Sequence, residues 1–378
     1  LWNEHKYGRD EADHKFNHDL HAYLREAGEK KEPLIRYRYA DKEDMFDNHS
    51  YQKGGRVLHM LRNYVGDEAF FAALEKYLSD YGFRSAEVHN LRLVFEEITG
   101  EDLSWFFNQW FLSPGHPEIE IRYSYDDSLK KERVTILQRQ DTNRYPVFVL
   151  PLAIDVYSGG KVQRHRKTIR HAKEEFLLDV SGKPDLVNVD ADKMLLCSKR
   201  DMHTNGEYAF QYRNAPLYID RHEALDAMSA VSGSDTLAAQ TIFMALSDRF
   251  WQLQVFAMEQ LRPDSILPAF LRDTLLVRAQ RAPAAAVRAE ALRALDRLWK
   301  KDTLLTGIFR AALADSSYSV VAGALDALMV RNQGEALRIA AKMEAEKNTS
   351  VLMVVSEIYA RAGTEANAAF FEKAYRRA

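Results

Sequence analysis

The stretch Ser50-Tyr51-Gln52-Lys53-Gly54-Gly55-Arg56-Val57-Leu58-His59-Met60-Leu61-Arg62 carries the residue types and spacing that bear most directly on chemistry. A phenol and an ammonium stand two residues apart, followed by two glycines, at the head of an amphipathic helix with Val57, Leu58, Leu61 and Tyr64 on its core face. On the residues alone Tyr51 reads as an anchor of the first turn. Lys53-Gly54-Gly55 is less ordinary, because each glycine inside an exposed helix costs about 1 kcal/mol relative to alanine. Close approach of another backbone or of a ligand would explain the pair.

Metal chemistry has a thinner basis. His14 and His18, at i, i+4, share a helix face with His21 nearby, and Asp19 or Glu11 could add oxygen, enough for a three-ligand zinc site. Their neighbours Lys15, Asn17 and Asp19 favour a solvated face instead. A His-Glu-x-x-His pentad is absent from the sequence: the His222-Glu223 pair continues as Ala224-Leu225-Asp226, with no second histidine one turn on. Asp220-Arg221-His222-Glu223 therefore reads as helix capping and salt bridging between repeats. Arg249, Arg262, Arg278 and Arg281 read as solvated or ion-paired, although one of them could face a substrate channel.

These candidates need several cores to hold them, and 378 residues suffice for more than one domain. With 46% hydrophobic and 28% charged residues the composition is globular, and the longest apolar stretches, such as residues 147–154, fall short of a bilayer span. The formal net charge of −3 gives no drive toward nucleic acid. The single cysteine, Cys197, excludes an intramolecular disulfide and a thiolate metal cluster. The opening residues Leu1-Trp2-Asn3-Glu4-His5-Lys6-Tyr7-Gly8 show no initiator methionine and no signal-peptide organisation, so a fragment or processed product is expected, soluble and either cytoplasmic or exported.

Three regions succeed one another. Residues 1–117 have helical periodicity: a helix capped by Asp10 or Asp13 running to Leu24, one from Ser50 to Gly66, one over 68–81 capped by Asp67, and others near 87–99 and 103–111. Pro114-Gly115-His116-Pro117 closes this part. Over 118–200 the period drops to two, as in Ile119, Ile121, Tyr123 and Tyr125, and short strands at 134–137, 147–156, 161–169, 175–180 and 186–189 predict a small antiparallel β-sandwich. In residues 201–378 a small-large pair recurs at Ala224-Leu225, Ala257-Met258, Ala291-Leu292, Ala324-Leu325 and, more weakly, Glu357-Ile358, in steps of 33, 34, 33 and 33 residues. That period predicts a HEAT-like α-solenoid.

The run from Tyr51 to Arg62 is similar to the Tyr-x-Lys-Gly-x-x-Val-Leu-x-Met-Leu segment of the aminopeptidase N family of gluzincin zinc metallopeptidases, which includes leukotriene hydrolase. Residues 2–12, Gly66-Asp67-Glu68-Ala69-Phe70-Phe71, the Leu103 to Phe111 helix and Gly115-His116-Pro117 resemble successive blocks of that family downstream of its zinc site. The resemblance implies that residues 1–117 are the C-terminal helical part of a thermolysin-like peptidase domain, with 118–200 and 201–378 as the family's third and fourth domains. It also implies that Tyr51 donates a hydrogen bond to the tetrahedral oxyanion, a role suited to a neutral phenol, with Lys53, Gly54 and Gly55 as cavity wall. The zinc ligands and general base would lie in a missing N-terminal half of the same polypeptide. The parent would release N-terminal residues from peptide substrates using zinc, while this chain alone binds no metal and is inactive. The competing expectation is a non-catalytic peptide-binding scaffold on a zinc-dead peptidase fold.

Overall fold

The computed structural model describes residues 1–263 and 267–375. The chain divides into two compact units, Leu1–Ala224 and Leu225–Ala378.

The first unit opens with helices α1 (Trp2–Tyr7) and α2 (Arg9–Ala27), continues through α3 (Gly54–Val65), α4 (Asp67–Asp80), α5 (Val88–Thr99) and α6 (Ser104–Phe107), and then turns to strands. In α3 the apolar spacing sets Val57, Met60 and Leu61 fully inward. The helix stops where Gly66 takes φ 84°, a conformation L side chains resist. Asp67 then stands at the first position of α4, with Gly66 rather than Asp67 as the cap. A capping arrangement between Glu87 and Asn90 starts α5. Beyond α6 a π-helical turn, Asn108–Leu112, swings Trp110 and Phe111 into the core. There Phe107 stacks on Phe111 at 4.6 Å and Trp110 lies 4.9 Å from Phe148.

The strands are β1 (Glu118–Asp126), β2 (Lys131–Gln138), β3 (Leu150–Ser158), β4 (Lys161–Ile169), β5 (Lys173–Asp179), β6 (Leu186–Val189) and β7 (Ser198–Asp201). They form one sheet in the order β5-β2-β1-β7 and another in the order β4-β3-β6. Alternation sends Ile119, Ile121, Val134 and Ile136 inward, whereas β3 is buried along most of its length. Both sheets share one apolar cluster with α2 to α6. The helices are also tied by polar bonds to segments beside the strands: the Gln109 amide donates to Val149 O and accepts from Val149 N, both at 2.9 Å, and Arg56 donates to Leu195 O at 2.8 Å. Helices α7 (Asn205–Asn214) and α8 (Tyr218–Ser229) come next.

The second unit contains α9 (Thr236–Ala245), α10 (Trp251–Gln260), α11 (Leu271–Arg281), α12 (Ala285–Leu298), α13 (Leu305–Ala312), α14 (Tyr318–Arg331), α15 (Gln333–Met343), α16 (Thr349–Ala362) and α17 (Ala368–Tyr375). Helix α10 packs on α12, α12 on α14 and α14 on α16, and each of the last three also packs on the helix preceding it in sequence. The recurring pair lands on this stack: Ala257, Met258, Ala291, Leu292, Ala324, Leu325 and Ile358 are all buried. Ion pairs Arg272–Asp302, Arg288–Asp315 and Arg310–Glu335, at 2.7 to 2.8 Å, join successive helical pairs.

Several expectations change. The first predicted helix begins earlier than expected: Gly8, at φ 91°, precedes α2 and separates it from the additional helix α1, and Asp10 and Asp13 lie inside α2 instead of capping it. Asp13 is buried against Arg9 at 2.7 Å. The strand region is not purely antiparallel, because β7, a strand without an alternating signature, runs parallel to β1. Among the described residues no helix is long and apolar enough to cross a membrane.

Candidate functional site

Tyr51 sits in a π-helical turn, His49–Lys53, that leads into α3. The turn is clamped from both sides. Glu26, one residue from the end of α2, accepts the Asn48 backbone N–H at 3.0 Å and the Asn48 amide, and its other oxygen takes the His49 Nδ1 proton at 2.9 Å. Asp47 accepts two bonds from Arg36 at 2.7 and 3.0 Å, one from Lys30 at 2.9 Å and the Ser50 N–H at 2.8 Å. Arg36 also donates to Ser50 Oγ at 2.9 Å. Burial pushes the Asp47 carboxyl up, but the Arg36 and Lys30 bonds outweigh it and hold the group well below the usual carboxylate range. Glu26 is held down in the same way by Asn48 and His49. Burial pushes the His49 imidazole down, so it stays neutral as it donates to Glu26.

Above this base the Tyr51 phenol is 59% exposed, with Phe46 beside it at 6.1 Å between ring centroids. It lines an open cleft of about 390 Å³ together with Glu26, Lys30, Phe46, Asp47, Asn48 and Gln52. Lys53, Gly54 and Gly55 do not line that cleft. Lys53 points the other way, fully buried, with its ammonium donating to Gly115 O at 3.2 Å and Glu32 O at 3.4 Å, 5.8 Å from the Tyr23 ring. Burial first, then the Arg36 charge, pushes its pKa down to about 8. A Cβ at Gly54 would rest in ordinary contact with Leu34, 3.4 Å away, while Gly55 faces open space. Packing therefore requires glycine at neither position.

Among the described residues one set of three side chains has metal-ligand geometry, Glu26, Asp47 and His49, whose ligand atoms lie within 4.8 Å of one another. It does not fit a zinc ion. Two cations, Lys30 and Arg36, already neutralise the carboxylates, and Asn48 and His49 fill the Glu26 oxygens. The histidines of α2 are no better placed: His14 Nδ1 lies 3.0 Å from the Tyr218 hydroxyl, and His18 lies 3.7 Å from Asp19. Of the four arginines, Arg262 donates to Glu259 O at 2.7 Å and Arg278 to Ser247 Oγ at 3.0 Å.

Asp220, Arg221 and Glu223 bond toward the strand region and α2, where bridges between repeats were expected. Lys193, buried, reaches Asp220 at 3.1 Å and Glu223 at 2.7 Å, Lys199 reaches Glu223 at 2.6 Å, and Arg221 reaches Asp10 at 3.0 Å. The clamp residues escaped the sequence reading as well. Asp47 carries a findable signal, a carboxylate three residues before the N–H it caps at Ser50. Glu26 carries none, since it acts across 22 residues.

Similarity to known proteins agrees with this geometry in the first part of the chain. Residues 4–110 match the Peptidase family M1 domain. The chain carries an M1 peptidase segment. Relatives agree: "Probable aminopeptidase 1" of Sulfurisphaera tokodaii is 32% identical over 152 residues, which is 40% of this chain and 18% of the relative. "Leucyl aminopeptidase" of Saccharolobus solfataricus is 32% identical over 124 residues, 32% of this chain and 15% of the relative. The chain that carries the M1 segment also resembles, in fold alone, the crystal structure of Legionella pneumophila aminopeptidase A in complex with aspartic acid, with a TM-score of 0.57 and 14% identity over 99% of this chain and 45% of that one. The fold is therefore aminopeptidase-like, with mixed helical and sheet content. The matched stretches span less than a fifth of the curated relatives' length.

Proposed function

We propose that this chain is part of a zinc-dependent aminopeptidase of the gluzincin type and that Tyr51 supplies the hydrogen bond to the tetrahedral oxyanion formed as a peptide's first amide bond is hydrolysed. One observation carries the reading: within the M1 segment, Tyr51 presents an exposed phenol to an open cleft from a turn fixed by two carboxylates. A phenol there is a neutral donor whose bond strengthens as charge develops on the substrate oxygen. The zinc implied by the family finds no fitting ligand set among the described residues. Its ligands and the general base are assigned to another part of the same polypeptide, so this chain alone is inactive and binds no stoichiometric zinc.

The remaining regions fit the same proposal. Two sheets sharing a core suit the β-sandwich assigned to residues 118–200, and the buried 33-residue repeat of helices suits the HEAT-like array assigned to 201–378. The polypeptide takes peptide substrates and no nucleic acid. The test is Tyr51→Phe in the full-length polypeptide with an aminoacyl-anilide substrate: kcat should fall roughly 10²- to 10³-fold with KM little changed. A near-normal kcat removes Tyr51 from the mechanism.

A further inference from the structure

We infer that Glu26 is the positioning residue for Tyr51: from the end of α2 it sets the direction in which the phenol leaves the π-helical turn. This rests on the oxyanion reading of Tyr51 and deepens it.

Tyr51 cannot orient itself. Its ring is more than half exposed, it touches Phe46 through a tilted contact, and its hydroxyl has no hydrogen-bond partner among the described residues. Its direction therefore follows from the backbone of His49–Lys53. That backbone is π-helical, with Lys53 N–H bonded to Asn48 O at 2.9 Å, five residues back. π-turns are inherently poor competitors with the α-helix and survive where outside contacts hold them. Asp47 belongs to the same loop and fixes the turn against Lys30, Arg36 and Ser50. Glu26 is the carboxylate that reaches it from another helix. One oxygen takes both Asn48 donors, backbone and side chain, and the other takes His49 Nδ1, so a single carboxylate fixes two consecutive residues immediately before Ser50-Tyr51.

Buried His49 reinforces this. Its ring is fully enclosed, edge-on to Tyr23 at 5.1 Å; Nδ1 donates to Glu26 at 2.9 Å, with Asp47 farther off at 3.9 Å, and among the described residues Nε2 has no hydrogen-bond partner. Without Glu26 neither ring nitrogen is satisfied, and the turn loses the anchor joining it to α2. Glu26 borders the same cleft as Tyr51, with its two carboxylate oxygens taken up by Asn48 and His49. Its effect passes through Tyr51.

The full-length polypeptide carrying Glu26→Gln, Tyr51→Phe and both together separates positioning from general stability. Gln keeps the shape but has one acceptor oxygen for donors on both sides. A misplacement of about 1 Å lowers turnover by up to 10²-fold, so Glu26→Gln should lower kcat roughly ten- to a hundredfold with KM within about twofold. In the Tyr51→Phe background it should lower kcat no further, because the donor it positions is gone. Asn48→Ala, which removes one of the three bonds and leaves the carboxylate charged, should give a smaller loss that likewise vanishes in the Tyr51→Phe background. Additive losses, or an unchanged kcat in Glu26→Gln, overturn the inference. Amide hydrogen exchange on the chain of 378 residues is a second arm that needs no activity. Residues 48–53 should exchange at least tenfold faster in Glu26→Gln while 57–65 are unchanged, and unchanged exchange at 48–53 overturns the inference. If Tyr51→Phe alone leaves kcat intact, the oxyanion reading fails, and the exchange arm still decides whether Glu26 holds the turn.

Discussion

Lys53→Met should reverse an electrostatic penalty that the fold imposes on itself. The ammonium of Lys53 is fully buried, bonded to two carbonyls and, among the described residues, faced by no carboxylate at contact distance. Its pKa is pushed down to about 8, from 10.5 in the unfolded chain. Below pH 8 both states are protonated and the folded state bears the whole penalty, about 3 kcal/mol for a shift of this size. Between pH 8 and 10.5 the folded state releases its proton first, the unfolded state binds more protons, and stability rises with pH. Worked through, wild type gains about 2 kcal/mol relative to Lys53→Met between pH 7 and 9.5. The neighbours do not blur this window: burial holds His116 at about 4 and pushes His49 down, Tyr23 titrates above it, and Arg36 stays charged. Gly115 O keeps the Tyr23 hydroxyl, 3.3 Å away, when the ammonium is gone. Urea unfolding of both chains at pH 7, 8.25 and 9.5, followed by tryptophan fluorescence, gives the difference directly. A difference that is flat or falls with pH refutes the burial argument.

Two further substitutions test buried supports of the first unit. Gly115→Ala forces a Cβ onto a residue at φ 82° and to 2.8 Å from Tyr145 Cδ1, so the chain should lose about 1–3 kcal/mol in chemical denaturation; adding Tyr145→Ala should restore only the steric part, and full restoration would show that the backbone conformation is not strained. Lys193→Met removes the ammonium from buried Asp220, which keeps the Asn188 amide and the Leu217 N–H, and leaves part-buried Glu223 with Lys199; it should cost about 3–5 kcal/mol, a loss under 1 kcal/mol marking the network as solvent-screened. Burial raises the Glu223 carboxyl, but Lys193 and Lys199 hold it down at about 2. Its contribution is thus complete above about pH 4.5 and drains away as pH falls toward 2, and Lys193→Met should flatten that acid limb in a pH series of melting curves.

Much of this fold was legible because periodicity is a property of single elements. The alternation Ile119, Ile121 marked β1, and the recurring Ala291-Leu292 and Ala324-Leu325 pairs marked the helices that stack in the second unit. What escaped was whatever depends on distant partners. Strand β7, Ser198-Lys199-Arg200-Asp201, is polar throughout and becomes a strand because β1 offers it a free edge. Lys53 beside a candidate catalytic tyrosine read as cavity wall, yet the π-turn rotates it inward, and nothing in the local sequence announces that extra residue in the turn. Glu26 looks like any charged residue near a helix end, and its work is visible only once Asn48 and His49 are folded against it.

The parallel pairing of β1 with β7 has a consequence for synthesis. Glu118 finds its ladder partner Ser198 eighty residues later, so at roughly 5–20 residues per second the ribosome leaves one edge of β1 unpaired for about 4–16 s. An amphipathic strand with an open edge invites pairing with other chains. The polar side chains of β7 act as a late seal, and nascent chains stalled before residue 198 are where aggregation of this protein should concentrate.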